Sequence, residues 1–363
     1  MTATVPGATP IPFAPAYEQI PDDEAATGQA LVEAMQQILQ TTYADYGRPV
    51  RSVHAKAHGL LQGTLEVFDH LPPVLAQGAF AKPGRLPVLM RLSTNPGDLL
   101  DDRVSTPRGM ALKIIGVEGE RLPGSEGDVT QDFVMQNATV FTAPTPKAFL
   151  KNLQLLAKTT DRLPGSKRVL SAALRGVEAV VEAAGGESGT LKSLGGHPLT
   201  HILGERFNTV VPLLYGPYYG KLSVVPVSEE LTRLAGQKVD FHDRPDGLRE
   251  EVQAFFAEHD GTWEVRVQLA THAEHMPIED ATVEWPQALS PYVAVARLHV
   301  PRQASWSPEK VQAIDENLAF SPWHGLAAHR PLGGIMRVRK AAYEHSAAFR
   351  GQHQGCPIHE PRA

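Results

Sequence analysis

The chain has 363 residues, 42% hydrophobic and 20% charged, with 34 Lys+Arg against 40 Asp+Glu for a formal net charge of -6. This is ordinary globular composition with enough length for a large core, and its mildly acidic balance argues against a nucleic-acid partner. No apolar run is long enough for a membrane-spanning helix, no secretory signal opens the chain, and a lone cysteine, Cys356, excludes internal disulfides and multi-cysteine zinc sites, so a cytoplasmic location is expected.

Residues 1–20 are rich in Pro and Ala without periodicity and read as an arm that wraps or is disordered. Asp22-Asp23-Glu24 then opens a helix reaching about Tyr43, with Leu31, Met35, Ile38 and Leu39 on one stripe. From 47 to 144 the pattern changes to short strand-like runs broken by Gly, Pro, Asn and Asp, at 63–68, 86–93, 109–115 and 132–141. Helical spacing follows at 146–159 and 166–184, then a Gly/Ser-rich connection at 185–196. Four more strand-like runs lie at 209–215, 222–227, 262–269 and 293–300, and helices at 308–318 and about 332–349 close the pattern. Two groups of four antiparallel strands suggest an eight-stranded antiparallel β-barrel with inserted and C-terminal helices, an α+β fold, because closure removes exposed edges. Strands from both halves must share that barrel, so residues 21–350 are expected to be one domain, with 351–363 a tail.

Chemistry-bearing residues concentrate in two places. In Arg51-Ser-Val-His54-Ala-Lys56-Ala-His58-Gly59, just before the first strand, the His54 imidazole could be a general base, a metal ligand or a satisfied core group. In Arg337-Val-Arg339-Lys-Ala-Ala-Tyr343, helical spacing puts Arg339 and Tyr343 on one face, with Arg350 two turns further on. A guanidinium beside a phenol favours the phenolate, and a phenolate is one of the known ligands of haem iron; a helix with a packed tyrosine and solvated arginines fits the same spacing. His272 and His275, three apart, lack an evident third ligand for zinc, and His353, Cys356 and His359 read as a polar terminus. The chain has no Gly-x-Gly-x-x-Gly, Walker loop, Gly-x-Ser-x-Gly or His-Glu-x-x-His, which weakens nicotinamide, ATPase, serine-hydrolase and zincin readings together.

Several segments taken in order resemble the haem catalases. Arg51-x-x-His54-Ala-Lys56 is similar to their distal-histidine motif, Arg91-Leu-Ser93-Thr94 to Arg-Phe-Ser-Thr, and Pro107-Arg108-Gly109-Met-Ala-Leu-Lys113 to Pro-Arg-Gly-Phe-Ala-Val-Lys. Glu279-Asp280-Ala-Thr-Val-Glu-Trp285-Pro286 is similar to Glu-Asp-Pro-Thr-x-x-Trp-Pro, and Arg339-x-x-x-Tyr343 with Arg350 to the proximal-ligand signature. The chain looks short for a catalase and resembles most closely the small catalase-like peroxidases, related in fold to the coral allene oxide synthase domain.

The resemblance implies haem b as cofactor, with Tyr343 the axial iron ligand, Arg339 holding it as phenolate, and Arg51, Arg91 and Arg350 pairing with the propionates. It makes His54 the distal base, Ser93 its hydrogen-bond partner, and Phe133 and Phe141 the distal-pocket phenylalanines, for which barrel core is the alternative. The family's distal asparagine is matched in this reading by Asp128 of Gly127-Asp128-Val129-Thr130-Gln131, with Asn137 nearby in another register. An ionised Asp128 donates no hydrogen bond, which favours slower peroxidase chemistry over catalatic turnover. The implied activity is reduction of hydrogen peroxide or organic hydroperoxides through an oxoferryl intermediate, using an unidentified reductant, with a homodimer the expected assembly. Rearrangement of a fatty-acid hydroperoxide, as in an isomerase or lyase, and a non-enzymatic haem-binding barrel are the alternatives.

Overall fold

The structure, a computed structural model, describes residues 9–159, 197–355 and 358–362. The helix expected over 166–184, the connection at 185–196 and Cys356 lie outside the described residues.

Among the described residues nine strands form one antiparallel sheet: β1 (Ala57–Val67), β2 (Gly84–Thr94), β3 (Arg108–Ile115), β4 (Thr130–Gln136), β5 (Phe207–Asn208), β6 (Leu213–Tyr215), β7 (Tyr218–Pro226), β8 (Gly261–Leu269) and β9 (Val293–Val300). Their order is β5-β4-β3-β2-β1-β9-β8-β7, and β5 also pairs with β7, so eight strands close into a barrel while β6 folds back on β7 as a hairpin.

The strand period of two then decides which side chains fill the barrel and which face outward. Val88, Met90 and Leu92 of β2, Met110, Leu112 and Ile114 of β3, and Phe133 and Met135 of β4 join one buried cluster with Leu222, Val224, Val265, Val267 and Leu298. Burying each such side chain contributes roughly 1.5–3 kcal/mol, so the filled interior is the main stabilising element. The intervening residues form registered rows across the outer face: Ser93–Gly109–Gln136, Arg91–Ala111–Val134 and Leu89–Lys113–Asp132. Most of these outward residues are nevertheless buried, and Ile314, Leu318 and Phe320 from the segment after β9 pack against Leu89, Ala111 and Val134 among them.

Four longer helices lie among the described residues: α1 (Glu24–Tyr46), α2 (Pro146–Thr159), α3 (Gly247–Glu258) and α4 (Gly334–Gln354). Leu31, Met35 and Ile38 of α1 pack on Leu153 and Ala157 of α2 and on Val338 and Ala342 of α4. Gly47 ends α1 in the left-handed conformation (φ 64°), where a side chain would be strained. The described part of the arm wraps the barrel: Ile11 N–H donates to Ala270 O at 2.9 Å and Phe13 N–H to Pro217 O at 2.8 Å. Glu18 then accepts from Arg337 (2.7 Å) and pairs with Arg330 (3.0 Å), tying the arm to α4.

Some boundaries differ from expectation for local reasons. The run at 132–141 stops pairing at Gln136, because Asn137 turns its amide back onto β3 and its Oδ1 accepts from Arg108 N–H at 2.8 Å. The run at 209–215 is broken by Val210 at φ 52° and by Pro212, which has no N–H to donate, so only Leu213–Tyr215 is strand. The helix expected at 308–318 is a single α turn, Pro308–Lys310, followed by a π-helical turn, Val311–Glu316. α3 was not expected, although Leu248, Val252, Phe255 and Phe256 carry its buried stripe at helical spacing. No described helix is long and apolar enough to cross a membrane.

Candidate active site

α4 lies across the outer face of β2–β4, and the space between them is the site. A cavity of about 160 Å³ is lined by His54 on one side and by Arg339 and Tyr343 on the other, with Phe141, Phe149 and Leu153 among its apolar walls. A smaller adjoining cavity, about 50 Å³, joins His54 and Tyr343 to Arg51, Arg91 and Ser93, and a third, about 40 Å³, joins Tyr343 to Arg51 and Arg350. Segments nearly 290 positions apart in sequence thus meet around one phenol.

On α4 the four-residue spacing does what helix geometry requires. Arg339 Nη2 donates to Tyr343 Oη at 2.5 Å, and its guanidinium sits 5.8 Å from the Phe141 ring centroid. The positive charge is therefore held against the oxygen that faces the cavity. The helix start is anchored by Glu279 of the Glu-Asp motif, whose Oε2 accepts from Gly334 N–H at 2.8 Å.

His54 is placed by backbone strain and by close packing. It occupies the left-handed region at φ 54°, unusual for a non-glycine residue, and its N–H donates to Asn95 O at 2.7 Å. Its Nδ1 lies 3.1 Å from Ser93 Oγ. The ring rests on Gly109, where an added Cβ would come within 2.7 Å of His54 Cε1 and Nδ1, so only glycine fits in the Pro-Arg-Gly motif here. Burial first, then the charges of Arg91, Arg339 and Arg51, pushes the His54 pKa down to about 3, leaving a neutral imidazole at ordinary pH.

The arginines converge on one carboxylate that the sequence did not single out. Asp315, in the π-helical turn, accepts through Oδ1 from Arg51 Nη1 (2.5 Å) and Arg91 Nε (2.8 Å). Arg350 donates to the carbonyls of Asp315 (3.2 Å), Glu316 (2.9 Å) and Leu318 (2.9 Å). Burial would raise Asp315, but Arg91 and Arg51 hold it well below the usual carboxylate range. Burial, with Arg350 and Arg91 adding to it, pushes Arg51 well down, and burial brings Arg350 to about 10 despite Asp315. Three guanidiniums and one carboxylate leave two positive charges uncompensated at a buried spot. A group with two carboxylates would neutralise it.

The structure brings His54, Ser93, Arg51, Arg91, Phe141, Arg339, Tyr343 and Arg350 to this one space, and it does not bring Asp128 or Phe133 there. Asp128 lies beyond the opposite end of β4 from Gln136, roughly 20 Å along the strand at about 3.3 Å per residue, with its Oδ2 3.6 Å from His324 Nε2. Asn95, Gln136 and Asn152 are the amide residues that line the cavity with His54. Asn137 is adjacent, but its amide is committed to Arg108 N–H, His197 and Glu205. Phe133 is paired with Leu112 on the inward row and stacks with Phe80 inside the barrel, so it is core.

Strand parity gives the signal that was available. With Ser93 and Gly109 outward, the antiparallel register puts Gln136 outward and Phe133 inward. No comparable signal marks Asp315, because the π turn sets its direction. Elsewhere, the His272 and His275 rings lie 6.1 Å apart, and among the described residues no group of three or more His, Cys, Asp or Glu is placed to hold a metal ion. His353 stacks on Phe349 within α4, with ring centroids 4.1 Å apart.

No protein-family model and no curated protein matches the sequence. Solved structures do match in three dimensions. A fungal catalase aligns at a TM-score of 0.58 with 19% identity, covering 86% of this chain and 61% of that one. Catalase A from Saccharomyces cerevisiae aligns at 0.59 with 20% identity over 86% and 64%, and a bacterial catalase at 0.55 with 16% identity over 98% and 68%. The chain spans under two thirds of the length of the first two. At these identities the likeness fixes the architecture: an eight-stranded antiparallel barrel with helices, folded as the catalases are.

Proposed function

We propose that the chain binds haem b between α4 and the outer face of β2–β4 and reduces peroxides there. One observation carries the reading: a tyrosine oxygen held by an arginine, and a neutral histidine, line one apolar-walled cavity, beside Arg51 and Arg91 on one shared carboxylate and Arg350 on the adjoining carbonyls. Tyr343 would hold the iron, and Arg51, Arg91 and Arg350 would hold the two propionates whose charge the cluster lacks. When bound, the haem supplies the redox centre that reductive cleavage of an O–O bond requires.

The chain's own residues account for substrate handling. With Nδ1 donating to Ser93 Oγ, His54 Nε2 carries the lone pair. It can take the proton from one peroxide oxygen and return it to the oxygen that departs as water or alcohol. A pKa of about 3 keeps the ring neutral, so it accepts that proton only as the peroxide gives it up. Gln136 and Asn95 have the amide N–H donors that a peroxide oxygen needs and that an ionised Asp128 would not have supplied. Arg51 and Arg350 bind Leu318 O, and Phe320, two residues on, lines the small cavity beside Tyr343.

The test is an absorption scan of the haem-reconstituted protein during addition of hydrogen peroxide. A Soret band that shifts with peroxide and recovers as peroxide is consumed is the expected result. A protein that takes up no haem, or whose spectrum no peroxide changes, refutes the reading.

A further inference from the structure

A further cavity, of about 540 Å³, meets the arginine cluster at Asp315 and reaches neither His54 nor Tyr343. Its walls include Arg48, Lys56, Leu99, Arg249 and Trp306, and it ends on Asp315. The walls are rigidly built. Lys56 Nζ donates to Leu100 O (2.7 Å), Pro245 O (2.6 Å) and Asp102 Oδ1 (2.8 Å) and pairs with Asp246 at 3.0 Å. The Arg249 guanidinium lies 3.9 Å from the Trp306 ring centroid and donates to Ala57 O at 3.2 Å.

Two polar groups are left for a ligand. Asp315 uses only Oδ1 for Arg51 and Arg91, so Oδ2 has no hydrogen-bond donor among the described residues. At the rim, Arg48 is half exposed and only loosely paired, with Glu316 at 3.8 Å. A buried acceptor, the stacked Arg249–Trp306 pair along the wall and a more exposed cation fit a small planar molecule with a hydroxyl at one end and a carboxylate at the other.

We propose that this cavity is the electron-donor site, taking a phenol acid of the hydroxycinnamate type whose O–H donates to Asp315 Oδ2 and whose carboxylate pairs with Arg48. The inference rests on the peroxide-reducing reading and names the reductant it needs. The balance is one peroxide and two phenols giving an alcohol or water, a second water and two phenoxyl radicals. The O–O bond breaks and takes up two electrons, and each phenol gives one electron and one proton. The donor sits one carboxylate away from Arg51 and Arg91, the proposed propionate anchors, and away from the cavity where His54 meets peroxide. Peroxide and donor therefore do not compete for space.

The experiment uses p-coumarate as probe and two variants outside the His54–Tyr343 cavity, Arg48→Glu and Trp306→Ala. Binding is read first by ligand-observed NMR on the haem-loaded protein without peroxide, which requires no turnover. The expected result is binding to the wild type, weakened about tenfold or more in each variant, with Arg48→Lys restoring it. Guaiacol, which lacks the carboxylate, should respond to Trp306→Ala and be indifferent to Arg48→Glu. In turnover, the KM for p-coumarate rises in both variants while the KM for peroxide stays unchanged. Equal p-coumarate binding by wild type and both variants, with peroxide still consumed, overturns the donor site alone. No peroxide consumption with any donor overturns the functional reading itself, whatever the affinities.

Discussion

Replacing Gly109 by alanine tests the site at its tightest point. The added methyl would stand 2.7 Å from two atoms of the His54 ring and 3.1 Å from Ser93 Oγ, against the roughly 3.5–4.0 Å of an ordinary carbon contact. The ring has little freedom to retreat, because its backbone is held at φ 54° by the bond to Asn95 O and its Nδ1 by Ser93. Overpacking of this kind costs about 1–3 kcal/mol, and a ring that does swing away forfeits the Ser93 bond, worth about 0.5–1.5 kcal/mol. Urea denaturation should therefore show Gly109→Ala destabilised by about 1–3 kcal/mol. The rate of reaction with peroxide should fall much further, by about 10²-fold, since misplacing a catalytic group by about 1 Å costs that much. Leu112→Ala, three residues along the strand and inward-facing, is the counterpart. It should lose about 2–5 kcal/mol of stability while keeping its rate per folded molecule. Wild-type stability and rate in Gly109→Ala would refute the placement of His54 against β3.

Four further outcomes are expected. His54→Ala should retain haem, with its Soret band, yet react with peroxide at least about 10²-fold more slowly by stopped flow. Tyr343→Phe should lose or shift the Soret band, and full loading with an unchanged spectrum would remove Tyr343 as ligand. His329, whose ring is buried among Phe80, Phe133 and Tyr215, has its pKa pushed down to about 4 by burial. The unfolded chain then binds more protons between about pH 6.5 and 4, so stability falls on acidification through that window. Relative to His329→Gln, the wild type should lose about 1.4 kcal/mol per pH unit there, measured by denaturant titration. Lys113→Met should destabilise the protein by about 3–5 kcal/mol at pH 7, because Lys113 is fully buried and pairs with Asp132 (2.7 Å) and Glu360 (2.5 Å). That deficit should grow as pH rises above 7 and stay nearly level below it, since burial already pushes Asp132 up to about 7 despite Lys113 and losing the lysine raises it further.

Much of this architecture was legible in residue patterns because strands and helices advertise their period. The eight runs of alternating or apolar residues, the Arg339–Tyr343 spacing and the stripe of α1 all depend on local geometry alone. What failed depended on register. Asp128 and Phe133 were placed by counting along a motif, whereas the pairing Gly109↔Gln136 and Leu112↔Phe133 fixes which side of β4 each side chain takes. Asp315 was hidden for a different reason. A π turn rotates side chains away from the positions an α-helix would give them, so helical spacing over 308–318 misdirects the eye. The arm was ambiguous because its contacts, Ile11 to Ala270 and Glu18 to Arg337, are with residues distant in sequence and have no local signature.

The two-sidedness of β2–β4 has a consequence for how variation should distribute. Neighbouring positions along these strands answer to separate demands: Met90, Leu92, Leu112 and Met135 to the filling of a closed solid, and Arg91, Ser93, Gly109 and Gln136 to the chamber outside it. A saturation scan of the three strands should accordingly show a sawtooth. Thermal tolerance would dip at one parity and catalytic competence at the other, with the phase reversing wherever the ladder skips a residue. Extended to β1, the scan would cross such a skip at Ala57/Gly59.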